Sequence, residues 1–324
     1  MSCVGFIFAA LAALVVMPAA AQTALSAPPG LQMRFIVPFP PGGTLDVLAR
    51  TIANELGPAL SKTMVIENRP GASGAIGAEA VARAEPDGAA LFIASNTLIT
   101  LPALRKSLPF DIFKDFAPII ELGGTPTVVT LHPSFPARNY AEFVAAAKAK
   151  DQVSYNSPGI ASPPHLGGEL LARAAGLPLV HVSYRGTQPA VNDLVAGHIQ
   201  VMMAPLNAVL PFIQDKKLYG VALTDASRTR YLLDVPTLHE LGLTSMPAVT
   251  SWFAVLTTGG TPPGVVARLN QEIAKILRDP KIANVLTAQT FEIKAGTPAE
   301  LAALMRRDAA TNAKVVAEAG IKAE

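Results

Sequence analysis

The chain has 324 residues, 15% of them charged, and a formal net charge of +2 from 26 Lys+Arg against 24 Asp+Glu, with no long run of either sign. That balance excludes a nucleic-acid partner held on a concentrated basic face, and the length admits two ordinary domains or one large one. The one cysteine, Cys3, falls in the first 21 residues, so a chain processed there has no disulfide, thiolate metal site or cysteine nucleophile.

Residues 1–21, MSCVGFIFAALAALVVMPAAA, carry no charge and end in small residues. They read as a secretory signal peptide with an apolar centre from Val4 to Val16 and cleavage near Ala21; the apolar run is short for a membrane span. The usual basic residue ahead of the apolar centre is missing. Cys3 precedes that centre, whereas a lipidation site would follow it. An exported, soluble product is the expectation.

Short apolar runs then alternate with segments of helical period. Strands are expected at 34–37, 64–67, 91–94, 127–131, 153–155, 179–183, 199–203, 219–223 and 251–256. Leu45, Leu48, Ile52 and Leu56 recur every three or four residues and share a helix face. Asn139 with Glu142, and Thr297 with Glu300, read as capping-box starts, the second with a proline at the first helical position. Gly176 and Gly320 suit helix exits. Strands separated by helices imply βαβ units and mainly parallel sheets. Nine strands are many for one sheet, so an α/β chain of two lobes is expected. The first lobe takes residues 22–131 and 251–324, the second 132–250. No Gly/Ser linker separates them, which suits crossover strands around 129–133 and 249–255 acting as a hinge.

Ligands of open α/β sheets sit beyond the carboxyl ends of the strands, so the loops there carry the functional reading. The first is Phe39-Pro40-Pro41-Gly42-Gly43-Thr44, closed by Asp46. Its glycines allow backbone N–H groups to approach a ligand, Thr44 and Asp46 hold cap positions, and the following helix N-terminus favours an anion. No Gly-Lys-Ser/Thr is present, which excludes a P-loop, and no G-x-G-x-x-G supports a dinucleotide. A bare strand-to-helix turn is the alternative. The second loop, from Tyr155 to His165, brings Ser157, Gly159, Ile160, Ala161, Ser162 and His165 together as an uncharged anion cradle. His165 is read first as a cap or brace, with ligand contact as the alternative. The third places Tyr184 and Arg185 after a strand, where Arg185 either clamps a carboxylate bidentately or pairs with a surface acid. The fourth, with Gly71, Gly74 and Gly77, is read as a structural turn with a tightly packed helix. Trp252 and residues 203–207 either border the cleft or belong to the core.

Five stretches in this order, IVPFPPGGTLDVLAR, VIENRPGASGAIGAEAVARAEPDGAALF, YNSPGIASPPHLGGELL, VSYRGTQPAVNDLVAGHI and VPTLHELGL with SWFAVLTTGGTPPGVVARLN, resemble the Bug family, the TctC-like solute-binding proteins of tripartite tricarboxylate transporters. The likeness spans nearly all of the chain after Arg34. It implies a periplasmic, type II-like Venus-flytrap binding protein that closes on a small organic carboxylate and delivers it to membrane permease subunits. It implies no cofactor, no metal and no catalysis, and a monomer is expected. By the same resemblance Phe39 to Asp46 form one jaw, and Ser157 to His165 with Tyr184 to Thr187 the other, holding the carboxylate mainly through backbone N–H groups. The chain departs from the family pattern at Ser73, at Ala161 where glycine is usual, and at Ser183 where proline is usual. Ala161 would then add a methyl group close to the ligand. Rival readings are a sensor subunit presenting ligand to a membrane signalling protein, and an exported hydrolase. The second lacks a G-x-S-x-G elbow and an HExxH pair, and His132, His165, His181, His198 and His239 are scattered.

Overall fold

The structure, a computed structural model, describes residues 32–105 and 107–322. The expected signal peptide and Cys3 lie outside the described residues. The chain opens with β1 (Gln32–Val37), α1 (Thr44–Leu60), β2 (Thr63–Asn68), α2 (Ala75–Ala82), β3 (Ala90–Ser95), α3 (Thr97–Leu104) and β4 (Phe116–Thr125). It continues through β5 (Thr127–Leu131), α4 (Tyr140–Lys148), β6 (Val153–Ser157), α5 (Pro163–Ala175), β7 (Leu179–Ser183), α6 (Thr187–Val195), β8 (Val201–Pro205), α7 (Leu206–Gln214) and β9 (Tyr219–Leu223). It closes with β10 (Ser251–Thr258), α8 (Pro263–Arg278), α9 (Pro280–Ala288), β11 (Glu292–Ile293) and α10 (Pro298–Ala319). Among the described residues no helix is long and apolar enough to cross a membrane.

Two sheets result, one in spatial order β11-β4-β10-β3-β1-β2 and one in order β7-β6-β8-β5-β9. All nine expected strands form, and two were not expected. The sequence of β4 hides it, because Pro118 and the pair Gly123-Gly124 interrupt the strand pattern. Both glycines are required by neighbours. A Cβ on Gly123 (φ +136°) would lie 2.0 Å from Glu292 O, and one on Gly124 would lie 2.4 Å from Ser251 O. Short β11 docks through that gap, pairing Glu292 and Ile293 with the two glycines.

The sheets are mixed, and this refines the expectation of mainly parallel ones. β1 pairs in parallel with β2 and β3, and β6 with β7 and β8. The antiparallel exceptions include the two strands that arrive from the other lobe: β10 against β3 and β4, and β5 against β8 and β9. Because β5 hydrogen-bonds in the second sheet, the first crossing falls at Pro126, between β4 and β5. The expected boundary after residue 131 is corrected accordingly.

Packing follows the sequence periodicity. Met33, Phe35 and Val37 of β1 face a core completed by Leu48, Ile52 and Leu56 of α1 and Ile273 and Leu277 of α8. Ile36, on the other face, meets the layer of α2, α3 and the start of α10. Trp252 belongs to this second core: it is buried and its Nε1–H donates to Asp308 Oδ2 (2.9 Å). The second lobe has a comparable pair of cores, one holding Tyr155, Leu171 and Met203, the other Val191, Met202 and Leu223. Thr297 and Glu300 form the full capping box expected, and Gly176 and Gly320 end their helices left-handed, whereas Asn139 caps α4 without closing the box, because the Glu142 carboxylate accepts from the Arg138 N–H and Asn139 Nδ2 instead. The last turns of α10 reach the second lobe, where Val315 and Val316 pack on Leu166 of α5.

Two buried polar clusters tie local structure to pH. At the crossover, Asp225 accepts from the Thr127 N–H (2.9 Å), while Thr224 holds Val249 O through its hydroxyl (2.7 Å). Burial, only partly offset by the bonds from Thr127 and Thr250, raises the Asp225 carboxyl to about 7. In the second lobe the rings of His165 and His181 stack at 3.6 Å. Burial lowers His165, with a further push from His181, to about 3, and burial alone lowers His181 to about 4. Gly168 admits this packing, since a Cβ there would sit 2.2 Å from the Tyr155 ring.

These groups predict a pH profile for stability. As pH falls from about 7 to about 5, unfolded histidines (ordinary pKa about 6.5) take up protons that the folded pair refuses, so each lowers stability by up to about 1.4 kcal/mol per pH unit. Asp225 acts oppositely: in that window it is protonated when folded and ionised when unfolded, which raises stability toward acid. Urea denaturation of the wild type should show a shallow net loss toward acid, steeper in Asp225→Asn and flatter in His181→Gln. Equal slopes in all three proteins would refute the assignment. Separately, Gly123→Ala should destabilise by about 2–3 kcal/mol by displacing β11; a change below about 0.5 kcal/mol would show that this pairing is dispensable.

Candidate ligand-binding cleft

The carboxyl ends of β1, β3, β6, β7 and β8 lead into helices around one cleft of about 740 Å³, with walls from both sheets. From the first loop, Phe39, Pro40, Pro41, Gly43 and Thr44 line it. Gly42 and Asp46 stand behind that wall. Asp46 is buried and accepts from the Gly42 N–H (3.0 Å), Arg50 Nε (2.9 Å) and Asn68 Nδ2 (2.9 Å). Burial pushes its carboxyl up, but the bonds from Arg50, Gly42 and Asn68 outweigh that and hold it below the usual carboxylate range. Its acceptor capacity is therefore spent on bracing the loop.

The consequence is an open helix end. The N-cap of α1 is Gly43, with no side-chain cap, and the first backbone bond into the helix is Val47 N–H to Gly43 O (3.0 Å). The N–H groups of Thr44 and Leu45, both at the cleft, meet no acceptor among the described residues. Such groups and the helix dipole together favour a negative charge. Gly42 needs its glycine for φ +84°, whereas Gly43 does not: a Cβ there would meet only Pro40 O at 3.8 Å. The missing side chain at Gly43 thus keeps the cleft free and is not demanded by the fold.

The second loop behaves differently from the cradle expected of it. Its N–H groups are largely consumed internally: Gly159 donates to Ser157 Oγ (3.3 Å), Ala161 to His165 Nδ1 (3.1 Å), Ser162 to Gly159 O (3.2 Å) and His165 to Ser162 Oγ (3.3 Å). Pro163 and Pro164 occupy the first turn of α5 and supply no donor. Gly159, Ile160 and Ser162 still line the cleft, as an apolar and hydroxyl wall, while Ser157, Ala161 and His165 lie beneath it. His165 is a brace. Ala161 is fully buried and does not line the cleft, and its φ of +64° loads the backbone with left-handed strain.

The third loop supplies the opposing open end. Gly186 caps α6 without a side-chain bond, and the N–H groups of Thr187 and Gln188 find no acceptor among the described residues. Tyr184 and Arg185 line the cleft beside them, and Arg185 has no acidic partner among the described residues. Tyr184 is held by Asp193, to which its hydroxyl donates at 2.5 Å. The lobes touch here: Asn207 Nδ2 of α7 donates to Thr44 Oγ1 of α1 (3.1 Å).

Sequence reasoning missed two parts of the wall. Gly71, Ala72, Ser73 and Gly74 line the cleft in an unbroken left-handed run, at φ +125°, +52°, +54° and +92°. They also perform the packing read for them, since a Cβ on Gly74 or Gly77 would press on Pro38 at 3.2 Å. The second omission is Ser95, Asn96 and Thr97, with Leu101 and Leu104 of α3 and Arg105 just beyond its end. The strand-end rule, applied to β3 as it was to β1, would have found the first three.

Comparisons with known proteins agree with this geometry. The family model described as "Tripartite tricarboxylate transporter family receptor" matches residues 48–321. The protein BugT of Bordetella pertussis (strain Tohama I) is 31% identical over 297 residues, covering 91% of this chain and 91% of BugT. Among solved structures, Rpa4515 of R. palustris with adipate superposes with a TM-score of 0.84 at 30% identity, covering 91% of this chain and 99% of that one. MatC (Rpa3494) from Rhodopseudomonas palustris with bound malate gives 0.81 at 28% identity, covering 89% and 99%. The chain belongs to the receptor family of the tripartite tricarboxylate transporters, which its ordered loop motifs resemble.

Proposed function

We propose that this chain is a periplasmic receptor that holds a small organic carboxylate in the cleft between its lobes and hands it to a membrane permease. The observation that carries the reading is the uncapped N-terminus of α1: Thr44 and Leu45 line the cleft, their N–H groups meet no acceptor among the described residues, and the nearby carboxylate of Asp46 is already engaged. The related structures with adipate and malate support a carboxylate as the ligand class. Export follows from the signal-like segment, with removal of residues 1–21. Of the residues expected to bind ligand, Phe39, Gly43 and Thr44 act on one side of the acid, and Ile160, Tyr184 and Arg185 on the other. Gly42, Asp46, Ser157, Ala161 and His165 support them from behind. Closure would turn the lobes about the crossovers at Pro126 and Ser251, bringing the open ends of α1 and α6 toward one ligand.

A thermal-shift screen of carboxylic acids, each beside its amide, tests the reading directly. A concentration-dependent rise with an acid and none with its amide is the expected result. Stabilisation by amides and acids alike would overturn an anion site. Gly43→Val places a branched side chain in free space at the cleft, so it should leave the melting temperature nearly unchanged. It should weaken acid binding at least tenfold, about 1.4 kcal/mol. Undiminished affinity in a folded Gly43→Val protein would reduce the first loop to a turn.

A further inference from the structure

A single stripe of side chains runs along α10 and serves both lobes. Leu301, Met305, Asp308, Asn312, Val315 and Val316 recur at helical spacing and share one face. The first four are fixed to the first lobe. Leu301 and Met305 join the core beneath β3 and β10, Asp308 accepts from Trp252 Nε1–H (2.9 Å), and Asn312 Nδ2 donates to Thr100 Oγ1 of α3 (2.8 Å). One turn later the same stripe meets the second lobe, where Val315 and Val316 are buried against Leu166 of α5.

The end of α10 is shaped for this contact. Gly320 leaves the helix at φ +62°, which lets the Ile321 N–H return to Val316 O (3.1 Å) and places Ile321 on the same apolar cluster. On the second lobe, Leu166 lies in the first turn of α5, directly after Pro163 and Pro164 of the cleft wall. Its neighbour Gly167 rests on the segments beside the crossover, since a Cβ there would meet Thr224 Cγ2 at 3.3 Å and Val249 Cβ at 3.9 Å. On the first lobe, Leu104 packs on the cluster and also lines the cleft. The cluster therefore stands at the rim of the cleft, where turning the second lobe outward about Pro126 and Ser251 carries Leu166 away from Val315 and Val316.

We infer that the last two turns of α10 are an apolar latch that biases the lobes toward this arrangement before any ligand arrives, and that opening the cleft breaks it. Separating the two sides returns the apolar surface of Leu166, Val315, Val316 and Ile321 to water, which opposes opening in proportion to the area exposed. Leu104 belongs to the cleft wall and to the latch, so a ligand packed against it adds to the same state that the latch favours. That last consequence rests on the receptor reading; the latch itself does not.

Small-angle scattering of the ligand-free protein tests this on the wild type, Leu166→Ala, Val316→Ala, Val316→Ile and Met305→Ala, each shown to be folded by its melting curve. The expected result is a larger radius of gyration for Leu166→Ala and Val316→Ala. Val316→Ile, which keeps the contact, should retain the wild-type radius. So should Met305→Ala, which cuts the same stripe inside the first lobe and should lower the melting temperature alone. Wild-type radii in both Leu166→Ala and Val316→Ala would overturn the inference. An equal expansion in Met305→Ala would also overturn it, because it would mark a general loosening of α10. Should Leu166→Ala fail to fold, Val316→Ala against Val316→Ile decides the matter. None of these outcomes bears on the receptor reading, which stands or falls on the acid and amide screen.

Discussion

A strand that enters a lobe from the cleft must run away from the cleft. That constraint organises the molecule. The ligand-facing loops follow strands whose carboxyl ends point at the cleft, so those strands agree in direction. The crossing strands β5 and β10 begin where the others end, at Thr127 and Ser251, and so pair antiparallel with their neighbours. Their first residues lie side by side: Thr127 Oγ1 is 3.3 Å from Ser251 Oγ, and Ser251 pairs with Thr125 across β4. Small hydroxyl side chains let two backbones pass at this point while keeping each polar group satisfied. Asp225 completes the joint by holding the Thr127 N–H. The floor of the cleft and the link between lobes are thus one structure.

The site itself is stiff where it meets a charge and plain where it meets carbon. Loop 39–46 is fixed from beneath by Asp46 and Asn68, the latter donating also to Phe39 O (3.0 Å). It is fixed from the side by Gly74 and Gly77 against Pro38. The left-handed run from Gly71 to Gly74 includes two residues with side chains, each strained by about 1–2 kcal/mol. Surrounding packing holds that strain, and it sits at the cleft wall, where backbone outliers tend to gather. Donors held in place before a ligand arrives need no reorganisation on binding, which preserves affinity that flexible side chains would lose to ordering.

Much of this was legible in the sequence, and the failures share a cause. Alternating apolar runs gave all nine strands that bury both faces or keep a regular pattern. β4 escaped because its glycines serve the approach of β11 and Ser251, a tertiary demand that local propensity reads as a turn. The first loop was recognised because its glycines, helix start and lack of lysine are local facts. The second loop misled: its wealth of N–H and hydroxyl groups is real, but they satisfy one another, and only coordinates reveal which donors remain free.

The distribution of charge also fits a receptor whose task includes release. A buried ion pair resists opening, because separating it leaves a charge stranded in a poor dielectric. The open end of α1 instead offers partial charges, each interaction worth about 0.3–1 kcal/mol, that water can replace when the lobes part. The acid of the first loop, Asp46, is paired with Arg50 behind the wall, so it does not compete for the Thr44 and Leu45 donors. Asn207 to Thr44 is a single neutral hydrogen bond across the cleft, a contact worth about 1 kcal/mol. Contacts of that size can discriminate open from closed without locking either, so the ligand can supply most of the free energy that favours closure.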